Sequence, residues 1–210
     1  MPKIGRMGMP LYEAIYSMRA IRRVRPDPIA DEDIAIILDA ARQAPNGGNA
    51  QPWHFLVVQD RELIAEFAPL YHEAWWAKRA DQGIEGRDHP GLQNPVSQSA
   101  MRLADEIGET PLLIFLCATA QGAAAAASVI QSVQNMLLAA RSLGIGGNIT
   151  TLHPTVDERA KALFGVPDGA QIVYCVPMGY PKGRFGPLNR KPLREVVSQN
   201  RWGESPSWLE

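Results

Sequence analysis

Residues 111–140 contain no charged side chain, thirty positions in a row. No other feature restricts the fold as strongly. A membrane span is the first possibility to weigh, but Gln121, Gly122, Ser128, Gln131, Ser132, Gln134 and Asn135 interrupt the stretch. No apolar run therefore reaches the ~18 residues a spanning helix needs, and a membrane protein is rejected. The segment instead predicts a buried strand at Leu112–Ala118, then a buried helix over about 123–143. A helix with so few polar groups has to be covered nearly all round, which puts it in the core and at a subunit interface.

A chain of 210 residues is one ordinary domain. Lys and Arg number 21 against 22 Asp and Glu, a net charge of −1, which argues against a nucleic-acid protein. Cys117 and Cys175 each lie inside an apolar run and read as reduced core thiols, too few for a zinc site. The N-terminus lacks a continuous apolar core of signal-peptide type, so a cytoplasmic location is expected.

The near-neutral total hides an asymmetry. Lys3, Arg6, Arg19, Arg22, Arg23 and Arg25 crowd the first 25 residues against the single acid Glu13. Lys182, Arg184, Arg190, Lys191 and Arg194 crowd residues 182–194 against none. Each cluster could be a solvated face. Alternatively both converge on one anionic group such as a phosphate, a task suited to the arginine fork.

Between these clusters the pattern alternates helix and strand. Leu11, Ala14, Ile15 and Met18 keep helical spacing over 10–18, before Pro26 and Pro28 break the chain. A second helix starts at Asp31, with acids at its positive end and Ile34, Ile37, Leu38 and Ala41 as its buried stripe. It stops by Ala44. Trp53–Val58 reads as a strand, and 61–109 as helical with an interruption over 82–95 that holds Gly, Asp and Pro. Trp75 and Trp76 read as packing residues. A short helix over 157–164 and a strand over 171–178 follow, then an arm rich in Pro, Gly and Arg. Residues 1–198 form the expected single domain. Residues 199–210, with Trp202 and Trp208, form a tail expected to dock on a neighbouring subunit.

Side-chain chemistry is sparse. Nucleophile-elbow, phosphate-loop and zinc-protease motifs are missing, and His54, His72, His89 and His153 lack metal-ligand spacing. A cofactor would have to carry any reaction. Two glycine-rich segments could admit one. The first is APNGGNAQPWHF at 44–55, where glycines allow close backbone approach and Asn49 and Gln51 offer donors and acceptors, or which is simply a stiffened connector. The second is LGIGGNITT at 143–151, bare backbone after the buried helix and a weaker signal.

With MRAIRRVRPDP at 18–28, LGIG at 143–146, GYP at 179–181 and NRKPL at 189–193, the 44–55 block resembles the FMN-dependent nitroreductase family in order and spacing over about residues 10–197. The resemblance implies an α+β fold of α/β/α type with a central mixed sheet, an intertwined homodimer and FMN at its interface. It implies ping-pong transfer of two electrons from NADH or NADPH to small electron-poor acceptors such as nitroarenes and quinones. Specialised branches of the fold (reductive dehalogenase, dehydrogenase, flavin-fragmenting synthase) and a non-catalytic flavin binder are alternatives. By position, Arg19, Ala20, Ile21, Arg22 and Arg23 match the opening motif that holds the FMN phosphate and ribityl chain. Arg190 matches the closing basic residue. Pro45, Asn46, Gly47, Asn49 and Gln51 match the loop that meets flavin from the other subunit. Ile149, Thr150 and Thr151 match the segment at the ring edge, where a backbone N–H faces N5. Arg22 and Thr151 are the expected catalytic positions, with Arg19 and Arg22 sharing one face of a helix or turn. Ala20 replaces a serine and Met18 an arginine common in the family, and 71–100 matches nothing in it.

Overall fold

The computed structural model describes residues 4–209. Strand β2 (Leu112–Ala118) is its axis, with all seven residues buried. β1 (Trp53–Val58) flanks β2 on one side and β4 (Gln171–Gly179) on the other, with the two-residue β3 (Gly146–Gly147) beyond β4. β2 and the helix that follows it lie where the uncharged stretch predicts them, and β4 extends the strand expected over 171–178 by one residue.

Period-two alternation splits β2 between two cores. Leu112, Ile114, Leu116 and Ala118 pack with Ile34, Ile37 and Ala41 of α2 (Asp31–Ala41) and with Val129, Val133 and Met136 of α5 (Ala123–Ser142). Leu113, Phe115 and Cys117 face the opposite core. There they meet Ile64, Phe67, Tyr71 and Trp75 of α3 (Arg61–Ala80), Met101 and Leu103 of α4 (Pro95–Glu106) and Ala160 of α6 (Pro154–Phe164). Each fully buried apolar side chain contributes about 1.5–3 kcal/mol. The result is the expected α+β arrangement with helices on both faces.

The expected mixed sheet is corrected in one respect: every strand pairing among the described residues is antiparallel. Two long helices, α3 and α4, connect β1 to β2, so the chain returns reversed. The single helix α5 does carry the chain from β2 to a β3 running the same way, but β4 slots between them, antiparallel to both. Helix α6 begins at Pro154, earlier than expected, because the His153 ring accepts the Thr155 N–H and Pro suits the first turn.

By length and composition α5 could cross a membrane, yet here it lies along the sheet with Val129, Val133, Met136 and Ala140 buried. It is not covered all round within one chain. Ile130 is 43% exposed, and in α1 (Leu11–Ser17) Leu11, Tyr12, Ile15 and Tyr16 are exposed around the single buried residue Ala14. Trp202 is fully exposed and Trp208 largely so.

Residues 18–25 run extended along the sheet edge, because two glycines let them approach closely. The Ile21 N–H donates to the Gly147 carbonyl at 2.9 Å, and Val24 forms an antiparallel bridge with Pro181. A Cβ on Gly146 would lie 2.6 Å from Ile21 Cγ1, and one on Gly179 would lie 2.7 Å from Val24 Cβ. Gly146, in the run after α5, thus serves chain packing. Gly146→Ala is expected to cost about 1–3 kcal/mol in urea unfolding, as overpacking does. Gly169→Ala, where a Cβ meets nothing, should stay within about 0.5 kcal/mol.

Candidate functional site

The basic motifs from the two ends of the chain meet. The Arg25 N–H donates to the Tyr180 carbonyl at 2.7 Å and the Lys182 N–H to the Arg23 carbonyl at 3.0 Å. The closing arm then passes Arg19, whose Nη1 lies 3.5 Å from where a Cβ of Gly186 would sit. Arg141 anchors the arm by stacking on Phe185 at 4.2 Å.

Arg19 and Arg22 lie on extended chain, not on a helix or turn, since the pairing with Gly147 and Pro181 holds the segment straight. They are nonetheless electrostatic neighbours. Burial pushes the Arg22 guanidinium below the usual arginine value; Tyr71 acts against this and nearby Arg19 adds to it. Neither arginine has an ion pair or side-chain hydrogen bond among the described residues. Arg23 does: its Nε reaches the Glu106 carboxylate at 3.2 Å. Arg190 is exposed and donates to its neighbour's carbonyl, Asn189, at 2.8 Å. Ala20 is exposed and Ile21 half-buried.

Beside this cationic strip stands the 149–151 segment. Thr150 and Cys175 exchange two backbone hydrogen bonds, at 3.0 and 2.8 Å. The Thr150 carbonyl therefore points at β4, and across the planar trans peptide the Thr151 N–H points away from it. That N–H meets no protein acceptor among the described residues. Two side chains of α3 brace the segment. Tyr71 Oη shares a hydrogen bond of 2.9 Å with Thr150 Oγ1, and Lys78 Nζ donates to Thr151 Oγ1 at 2.6 Å and to the Thr151 carbonyl. Burial pushes the Tyr71 phenol up to about 12, so it remains a neutral hydroxyl near neutrality. Ile149 is 42% exposed, and Asn148 is buried with an Oδ1 that meets no donor.

The 45–51 loop is exposed and conformationally unusual. Gly48, Asn49 and Gln51 have φ of 59°, 53° and 49°, the last two rare for non-glycine residues. Asn46 Oδ1 holds the turn by accepting the Gln51 N–H at 2.8 Å, and Pro45, Gly47, Asn49 and Gln51 face outward. Gly47 abuts Ser128 of α5. Among the described residues no hydrogen bond or ion pair joins this loop to Arg19, Arg22 or Thr151 of the same chain.

Sequence reasoning missed Tyr71, Lys78 and Asn148. A signal for Lys78 exists: Ile64, Phe67, Tyr71 and Trp75 form the buried stripe of α3, and Lys78 is the next position in register. Trp75 and Trp76 are packing residues as expected, ring against ring at 4.9 Å, with Arg79 over Trp75 and Arg87 over Trp76. Arg87 also grips Asp105 of α4 at 2.8 and 2.6 Å. No cluster of three or more His, Cys, Asp or Glu able to hold a metal occurs among the described residues.

Comparisons with known proteins bear on the family and the fold. Residues 15–180 match the model of the nitroreductase family. A protein of Archaeoglobus fulgidus with the provisional name NADH dehydrogenase/NAD(P)H nitroreductase is 34% identical over 171 residues, 80% of this chain and 83% of its own. The iodotyrosine deiodinase of Thermotoga neapolitana is 26% identical over 188 residues, 89% of this chain and 95% of its own. A crystal structure of oxidised iodotyrosine deiodinase bound to FMN and 3-iodo-L-tyrosine superposes with a TM-score of 0.73 at 24% identity, covering 91% of this chain and 99% of that one. A family match over most of the chain, on a fold that presents the same motifs together, leads to one conclusion: the chain belongs to the nitroreductase family.

Proposed function

We propose that this oxidoreductase binds FMN and works as a homodimer, passing two electrons from NADH or NADPH to small electron-poor acceptors such as nitroarenes or quinones by a ping-pong mechanism. The observation that carries the reading is the Arg19–Arg22 pair. Arg22 is half-buried beside the exposed Arg19, neither has a carboxylate partner among the described residues, and FMN would complement both, with its phosphate at Arg19 and the charge of its reduced ring at Arg22. The rest of the site fits the same group. The Thr151 N–H, without an acceptor among the described residues, offers a donor to the edge of a flat ring.

Bound FMN supplies the redox chemistry, accepting a hydride and delivering two electrons. The chain binds, orients and tunes it. Arg19 and Arg190 take the phosphate, with Arg23, already engaged by Glu106, in support. Arg22 places fixed positive charge where negative charge develops on reduction. Ile149, Thr150 and Thr151 meet the ring edge. The loop of Pro45, Asn46, Gly47, Asn49 and Gln51 reaches flavin across the dimer. The exposed apolar groups of α1, Ile130 of α5 and the two tail tryptophans support the dimer that this assignment needs. The buried free thiols Cys117 and Cys175, both raised by burial, fit a cytoplasmic enzyme.

A second reading, a specialised branch of the fold, is favoured by the relatives. One is the deiodinase, and another, 30% identical over 177 residues, is the 5,6-dimethylbenzimidazole synthase of Rhodospirillum rubrum. Parallel lines in steady-state NADH and NADPH oxidation with a nitroarene and a quinone support the first reading. Flavin reduction without turnover of either acceptor supports the second.

Arg22→Ala is expected to retain FMN, lower its reduction potential and slow anaerobic flavin reduction about tenfold or more, with Arg22→Lys recovering part of both. Stopped-flow traces and a dye-equilibrated potential measure this; wild-type values for both would remove Arg22 from the mechanism. Arg190→Ala should weaken FMN about ten- to a hundredfold and barely affect riboflavin. Equal losses would assign Arg190 to packing. Deletion of 199–210 should shift sedimentation toward monomer and release flavin; an unchanged dimer would exclude the tail from the interface.

A further inference from the structure

Lys78 is a cation without a carboxylate partner among the described residues, half-buried at the end of the α3 stripe. Helix C-termini favour cations, but that accounts only for its charge, not for where the ammonium goes. It reaches off the helix to both oxygens of Thr151, the carbonyl and Oγ1. Burial pushes its ammonium below the usual lysine value, with Arg79 adding to the effect, so this placement is held against a cost.

The geometry shows what the contact achieves. The peptide plane between Thr150 and Thr151 is fixed on one side, because the Thr150 carbonyl accepts the Cys175 N–H at 2.8 Å. The next plane, which carries the Thr151 carbonyl, has no backbone partner among the described residues and is held by Lys78, with a long 3.5 Å hydrogen bond from the Thr150 hydroxyl beside it. Fixing both planes fixes the backbone torsions of Thr151 and hence the direction of its unbonded N–H. Tyr71, two turns earlier on the same helix, holds the Thr150 side chain in the same way.

We infer that Lys78 is a positioning residue: it tethers the Thr151 peptide to α3, so that the outward N–H is preorganised for the flavin ring edge, and it adds fixed positive charge there. The inference rests on the FMN reading above.

The test compares full-length Lys78→Met and Lys78→Arg with the unmodified protein. In Lys78→Met the Thr150 and Cys175 amides should exchange hydrogen at least about threefold faster, since their mutual bridge loses its neighbour. FMN and riboflavin affinity should fall by the same factor, about tenfold, because the lost contact lies at the ring and not at the phosphate. The flavin midpoint potential should move to a more negative value, because nearby positive charge favours the reduced ring. Lys78→Arg should restore most of the potential. A purely structural role would leave the potential of the bound flavin unmoved. Unchanged exchange and potential in Lys78→Met, or a loss confined to FMN, would overturn the role of Lys78. If the unmodified protein binds no flavin, the reading of the site fails, and the exchange rates still decide whether the tether exists. Should Lys78→Met not fold, Thr151→Val removes one acceptor of the same ammonium and should shift exchange and affinity in the same direction by a smaller factor.

Discussion

The close seating of Ile21 and Val24 on Gly146 and Gly179 is the contact on which the site depends. It holds residues 18–25 extended along the sheet edge and lets the 180–182 segment pair with them from the other end of the chain. Two basic clusters more than 150 positions apart thereby become one strip beside the end of β4. A Cβ at either glycine would collide with Ile21 or Val24, so a larger residue there would push the strip outward.

Electrostatics then divides the cations by role. Arg23 has Glu106, Arg87 has Asp105 and Arg141 has an aromatic ring; each is satisfied where it stands. Arg19, Arg22 and Lys78 have no carboxylate partner among the described residues, and Arg22 and Lys78 sit partly buried with their charged forms disfavoured. Arg19 and Arg22 are electrostatic neighbours, and Lys78 bonds the Thr151 segment, whose backbone N–H meets no acceptor among the described residues. A flavin phosphate at one end and a ring that gains negative charge at the other would complement that distribution.

The fold was largely legible in the sequence because its two cores are built by simple periodicities. β2 alternates between faces, α2 and α3 carry apolar stripes, and the lack of charge over 111–140 marks the central strand and helix. What was not legible was relative direction. Strand pattern gives no sense of pairing, so the insertion of β4 between β2 and β3, which makes the sheet antiparallel, had to come from the structure. The site was legible where it rests on local motif, at Arg19, Arg22 and the 45–51 loop. It was not legible where it rests on contact between helix and strand. Tyr71 and Lys78 act across about 70 positions, and only the break in the α3 stripe at Lys78 hints at this. Nor was the packing role of Gly146 and Gly147 after α5 legible, because it depends on Ile21, Leu137 and Met178 from elsewhere in the chain.

The central claim, that the unpaired arginines and the Thr151 edge hold a flavin, is tested most directly by the visible absorbance spectrum of the purified protein, with FMN titrated into any flavin-free fraction. The account predicts an oxidised-flavin spectrum and about one FMN per chain, released intact on denaturation. A colourless protein with no affinity for added FMN would contradict it.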